Sequence, residues 1–232
     1  MRPDILWYLK HQARALFAPR PSDEQAQIFA MAGWSDGVDL SAWQGAVDFA
    51  KLKTKVQFAY LRAGYGNNYF DPRCNEYRAG CKANGIPFGL YWFVVPGKSF
   101  ALHAQNFYKV WLADPGSLPP AFDVEVNGGL NKTKLESWLK KMYNEFNRLS
   151  GLPLSSEMTY TSPGFLNKSL GLTNWMKWTQ LWVAHWTTAP APIIPWEWAV
   201  PNKTWVKWQY SARGIGKDYG VSSRWVDLDR GR

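Results

Sequence analysis

The chain has 232 residues, a net charge of +9, and 15 Trp, 11 Tyr and 12 Phe. That length gives one sizeable domain or two small ones with a real core. Its basic charges are scattered without a run of five or six Lys/Arg, and no stretch approaches the ~18 apolar residues of a membrane span. A dedicated nucleic-acid arm and stable membrane insertion are therefore excluded. The basic balance still favours anionic partners such as acidic membranes or bacterial cell wall.

Residues 1–33 differ from the rest. In DILWYLKHQARALF the apolar residues Ile5, Leu9, Ala13 and Leu16 follow a helical spacing. Lys10, His11 and Arg14 fall where a signal peptide needs an apolar run, so no secretion signal is expected. Ser22 and Gln25 in SDEQ form a capping-box pattern. The expectation is a short helical N-terminal extension over 1–33. It packs on the main domain or on a partner, or lies on a membrane surface as a basic amphipathic helix.

From residue 34 to 232 short apolar strands alternate at first with helical segments. Strands are expected at 37–41, 56–64, 88–94, 120–126, 156–162, 181–186, 205–211 and 225–229. Asp71-Pro72 reads as the cap and first residue of one helix, Ser99 opens another that runs to about Ala113, and TKLE at 133–136 opens a third. Strand–helix alternation with short connections implies a parallel sheet covered by helices. Eight strands without a GxGxxG turn favour an irregular TIM-like β/α barrel. Beyond residue 171 the helices fade into Pro-rich loops such as APAPIIP.

Cys74 and Cys81 are seven apart. On a helix they share a face but stand about 10 Å apart along the axis, too far for a disulfide, so two buried free thiols are expected. The three histidines show no metal-ligand spacing, and neither a metal nor a cofactor is expected.

The strand PPAFDVEV carries Asp123 and Glu125 two residues apart. Strand alternation points both carboxylates the same way, about 6.6 Å apart along the strand, with Phe122, Val124 and Val126 on the other face. Strand C-terminal ends are where barrel active sites gather, and close carboxylates push their proton affinities apart. One then stays protonated as a general acid while the other ionises, the division that glycosidic bond cleavage requires. The plainer account is a strand end whose acids cap amides or pair with Arg62. Asp39 in the first strand and Asp227 in the last weigh against it, since a closed barrel makes those strands neighbours.

GVDLSAWQG at the start, AFDVEV, YTSPGF at 160–165, WVAHW at 182–186, and the late WQYS and VDLD together resemble the lysozymes of glycoside hydrolase family 25, the Chalaropsis-type muramidases. The resemblance spans about residues 36–229 in the family's order. It implies hydrolysis of the β-1,4 bond between N-acetylmuramic acid and N-acetylglucosamine in bacterial peptidoglycan. By the same resemblance Glu125 is the general acid/base and Asp123 its partner carboxylate, which stabilises the oxocarbenium-like state or assists attack by the substrate's own N-acetyl group. Asp39 and Asp227 match the two outer acids.

Tyr65, Tyr91, Tyr160, Trp182 and Trp186 all fall near strand ends, where sugar rings stack or core packing claims them. Tyr91, Tyr160, Tyr65 and Trp186 are the expected substrate-binding residues, and Trp182 is expected in the core. His185 alternates with Ala184 and Trp186, so it is expected to face the helices. The chain departs from the family at Trp92, where histidine is frequent, and at Trp186, where tyrosine is common. Residues 1–33 have no counterpart in the resemblance, and a phage or membrane partner is the expectation for them. A chain without a leader would be made in the cytoplasm and reach the wall after lysis or on a virion. The competing readings are a catalytically silent glycan-binding or structural barrel of a phage particle, and a chitinase-type hydrolase. The latter would carry more aspartates ahead of the glutamate.

Overall fold

The computed structural model describes residues 33–232. The helices expected in 1–33, the Ser22 capping box and any partner surface of that segment lie outside the described residues.

The described residues form nine strands: β1 (Ser35–Leu40), β2 (Phe58–Tyr65), β3 (Tyr69–Phe70), β4 (Phe88–Phe93), β5 (Ala121–Asp123), β6 (Met158–Thr161), β7 (Gln180–Ala184), β8 (Trp205–Ile215) and β9 (Trp225–Gly231). All but β3 close into a barrel. The six pairings from β1–β2 to β7–β8 are parallel. The seam is different: β9 runs antiparallel to both β8 and β1 and sets Asp39 opposite Asp227. The irregular barrel expected from the sequence is the fold observed. The two-residue β3 was not anticipated; it folds back on β2 as a hairpin.

Among the described residues five α-helices cover the sheet: α1 (Phe49–Lys53), α2 (Cys74–Ala83), α3 (Phe100–Ala113), α4 (Lys132–Ser150) and α5 (Pro163–Ser169). Past residue 171 the described residues contain only short 3-10 turns between strands. Ser99 caps α3 as expected, its Oγ accepting from the Leu102 amide at 3.3 Å. Two other helix starts shift. Helix α4 begins ahead of the Thr133 box because Asn131 Oδ1 already accepts from the Lys134 amide at 3.0 Å. Asp71 does not cap α2, whose N-cap is Arg73. The Asp71 Oδ1 accepts from the Arg73 amide at 3.0 Å, while its Oδ2 serves the buried Arg62 guanidinium at 2.8 Å and the Ala42 amide at 3.0 Å. Cys74 and Cys81 are free and buried on α2.

Two cores result, one on each side of the sheet. The outer core joins sheet to helices through Trp92, Phe107, Phe122, Leu139 and Phe146. The inner one is a smaller plug of Phe58, Tyr60, Tyr91, Met158, Tyr160 and Trp182. At the barrel floor a Cβ on Gly37 would stand 2.3 Å from the Phe58 ring, and one on Gly231 would stand 2.2 Å from Lys207 Nζ. A side chain at Gly37 would have to displace the Phe58 ring, and one at Gly231 the Lys207 ammonium.

Candidate active site

Strand β5 ends at Asp123, whose backbone neighbours are Phe93 of β4 and Tyr160 of β6. Backbone bonds continue past the strand end, with the Val94 amide donating to the Asp123 carbonyl and the Val124 amide to the Tyr160 carbonyl. The alternation therefore persists to Glu125. Val124 is fully buried in the outer core, while Glu125 is half-buried at the mouth.

Five carboxyls converge there: Asp39, Asp123, Glu125, Asp227 and a fifth, Asp229. Each of the four aspartates is held above its ordinary proton affinity, and burial is the first cause in every case. Asp39 is pushed up to about 6; donors on Gln209 and Asp229 and the Arg62 charge restrain the rise, while the Glu125 charge adds to it. Asp123 rises well above the usual range through burial, then the charges of Glu125 and Asp39, and it hydrogen-bonds Glu125. Asp227 rises through burial and then the charges of Asp39 and Glu125. Asp229 rises through burial and then the charge of Asp39.

In the structure Asp123 is the enclosed partner, 3% exposed, and Glu125 is the half-buried one at the mouth. Arg62 does not pair with either acid. Its Nε donates to Asp71, and it acts on Asp39 and Asp123 through its field alone.

A pocket of about 390 Å³ opens on Glu125, lined also by Tyr160, Ser162, His185, Trp186 and Ile193. Tyr160 Oη and Trp186 Nε1 both donate to Gln209 Oε1, at 2.9 and 3.0 Å, and Gln209 Nε2 donates to Asp39 Oδ2 at 2.8 Å. One amide thus ties two aromatics of the pocket to an acid. Tyr91 is buried below them, edge-on to Trp182, with its hydroxyl in the field of Asp39 and Asp123. Tyr65 is not among the residues lining this pocket; it stacks on Tyr69 at 4.3 Å in the β2–β3 hairpin.

Of three further side chains, one departs from expectation. His185 lines the pocket rather than facing the helices, because β7 ends at Ala184 and strand alternation stops there; its Nδ1 accepts from the Ile193 amide at 3.0 Å. Trp92 is fully buried in the outer core with Nε1 donating to the Gly66 carbonyl, so that departure from the family leaves the cleft untouched. Trp182 is core as expected, but core of the barrel interior, and its Nε1 donates to Asp229. Gln209 and Asp229 were missed. Asp229 lies two residues after Asp227 on the same strand face, and Gln209 is a polar residue inside an apolar strand, so alternation was the signal available for both.

A closed β/α barrel with a hydrogen-bonded carboxyl pair at the C-terminal ends of its parallel strands defines a glycoside-hydrolase class of protein. The particular family follows from the sequence match. The chain belongs to the glycosyl hydrolases family 25, whose model matches residues 38–219. Lysozyme M1 of Streptomyces globisporus is 31% identical over 190 residues, covering 76% of this chain and 60% of that protein. The chain therefore spans less than two thirds of that relative's length. Among solved structures, a bacterial lysozyme from Streptomyces coelicolor superposes with a TM-score of 0.72 at 29% identity, over 85% of this chain and 91% of that one. A family GH25 lysozyme from Aspergillus fumigatus gives a TM-score of 0.72 at 25% identity, over 86% and 94%.

Proposed function

We infer that the protein is a muramidase that hydrolyses the β-1,4 bond between N-acetylmuramic acid and N-acetylglucosamine in peptidoglycan. The observation that carries this reading is the Asp123–Glu125 hydrogen bond, which stores one proton beside an open pocket. Glu125, the more exposed partner, passes that proton to the glycosidic oxygen as the bond breaks. Asp123, then ionised, faces the positive charge developing on the sugar. A hydrogen-bonded pair leaves no room between its carboxyls for an attacking water, which argues against direct inversion. This favours Asp123 steering the substrate's own N-acetyl group, with Glu125 later activating water as the base. Tyr160 and Trp186 supply ring faces to the sugar, held by Gln209.

The test is digestion of purified peptidoglycan by wild type and Glu125→Gln, with mass spectrometry of borohydride-reduced products. Wild type should release fragments with reduced muramic acid ends. Glu125→Gln should lose at least about a hundredfold in rate with an unchanged melting temperature, as removal of a general acid requires. Reduced glucosamine ends would refute the bond specificity. Binding to wall without release of any fragment would make the barrel a silent glycan-binding subunit.

A further inference from the structure

The loops on either side of β7 hold a second concavity, which none of the five carboxyls lines. It encloses about 300 Å³ between Leu172, Asn174, Lys177, Trp196 and Glu197. Exposed apolar side chains gather around it: Leu172 and Ile193 are each 62% exposed, Trp196 59% and Trp178 56%. Apolar surface left in water forgoes burial energy, and where it gathers it marks an interaction site. The loops beneath are built to hold it in place. Glu197 is buried, and its carboxylate accepts from the Thr173 amide at 2.7 Å, the Thr173 hydroxyl at 2.9 Å and the Lys177 amide at 3.3 Å. Trp198 Nε1 donates to the Thr179 carbonyl at 3.0 Å, and the Trp196 amide donates to Asn167 Oδ1 of α5 at 3.0 Å. The 3-10 turns Met176–Trp178 and Trp196–Trp198 are thereby tied down, and their exposed indoles project from a fixed frame.

Two further observations say what fills this surface. It is continuous with the catalytic pocket: Ile193 lines that pocket and Trp196 lines the concavity, at most about 10 Å of chain further on. It is also cationic. Lys177 and Lys203 hold their ammoniums 5.9 and 5.1 Å from the Trp178 ring centroid, and among the described residues neither is in an ion pair. We propose that this surface is a distal binding site for the peptidoglycan strand, in which a sugar beyond the cleft seats against Trp196 while Lys177 and Lys203 meet the carboxylates of its stem peptides. Ring faces suit pyranoses, and a volume at the small end of ligand pockets suits a single sugar. A membrane would instead take a continuous apolar face, which Asn174 and Glu197 interrupt. The identity of the polymer rests on the muramidase reading. The binding site does not.

Binding is read by sedimentation with purified insoluble peptidoglycan, every protein carrying Glu125→Gln so that the wall stays intact. Trp196→Ala and Trp178→Ala should each weaken binding about fivefold, the size of one ring contact. Leu112→Ala removes a side chain 60% exposed on α3 and should leave binding unchanged. Lys177→Gln with Lys203→Gln should weaken it about threefold, and capping the wall's carboxyls as methylamides should remove that difference. Melting temperatures establish that each variant is folded. Wall binding untouched by both Trp substitutions would overturn the proposal, as would an equal loss in Leu112→Ala or a parent protein that does not sediment. Tryptophan-dependent binding to anionic phospholipid vesicles, with wall binding intact in the Trp variants, would overturn it in favour of a membrane surface. Cleavage is measured separately with Glu125 in place, so a protein that binds wall through these tryptophans without cutting it would refute the muramidase reading and keep the site.

Discussion

Strand β5 presents two unlike faces. Phe122 and Val124 point outward into a layer of Phe107, Tyr143 and Phe146, where interaction is by area and ring contact; the Phe122 and Tyr143 centroids are 4.5 Å apart. Asp123 and Glu125 point inward, where burial and the charges of Glu125 and Asp39 raise the proton affinity of Asp123. One face lowers the free energy of the fold and the other spends some of it. A strand with an alternating pattern can carry both duties because successive residues never meet.

The sharpest way to break this contrast is on the outer face. Phe122→Ala should cost about 3–5 kcal/mol by urea denaturation, since its ring is fully buried among other rings. The folded fraction should keep the wild-type pH profile. A changed profile would mean that the two faces are coupled.

The inner face should instead answer to pH. The Asp39 carboxyl, raised from 3.8 to about 6, binds its proton more tightly in the folded chain than in the unfolded one. Its contribution is whole below about pH 4 and is lost as pH rises through 6, so stability should fall from about pH 4 to pH 6 and level off above about pH 7. At about 1.4 kcal/mol per pH unit the Asp39 share is roughly 3 kcal/mol. Thermal melts of wild type and Asp39→Asn across that range measure it; an equal slope in both proteins would remove Asp39 as the source.

The smallest expected effect is the most local. Gln209→Ala leaves the Tyr160 hydroxyl and the Trp186 indole without their shared acceptor, at about 1–3 kcal/mol for the buried groups left unmet. KM for peptidoglycan should rise more than kcat falls, because the rings are loosened while the acids remain. A fall confined to kcat would place Gln209 with Asp39 rather than with the aromatics.

Much of the fold was legible because strand alternation and the Ser99 cap are local signals. Asp71 accepts an amide at the entrance of α2, but its second partner, Arg62, comes from a neighbouring strand, and a sequence does not display which buried cation will claim a carboxylate. Thr133 was misread because Asn131, two residues earlier, was closer to the free amides. Within the site the acids were visible one by one as charges in apolar runs. Their order of burial was not, and burial is the first cause of the raised proton affinity of Asp123. Gln209 and Asp229 matter through partners on other strands, at Asp39 and Trp182. His185 was misplaced because the alternation was extended one residue beyond the end of β7 at Ala184.

The antiparallel seam has a topological consequence. Strand β1 runs from floor to mouth and β9 from mouth to floor, so Ser35 and Gly231 are paired residues. Their Cα atoms are about 5 Å apart, at the end of the barrel away from the acids. A turn of a few residues would join them and make the barrel's backbone a continuous ring. The order in which the eight staves are numbered is then a matter of where that ring is cut, and a cut in any floor-side loop would leave the cleft as it is.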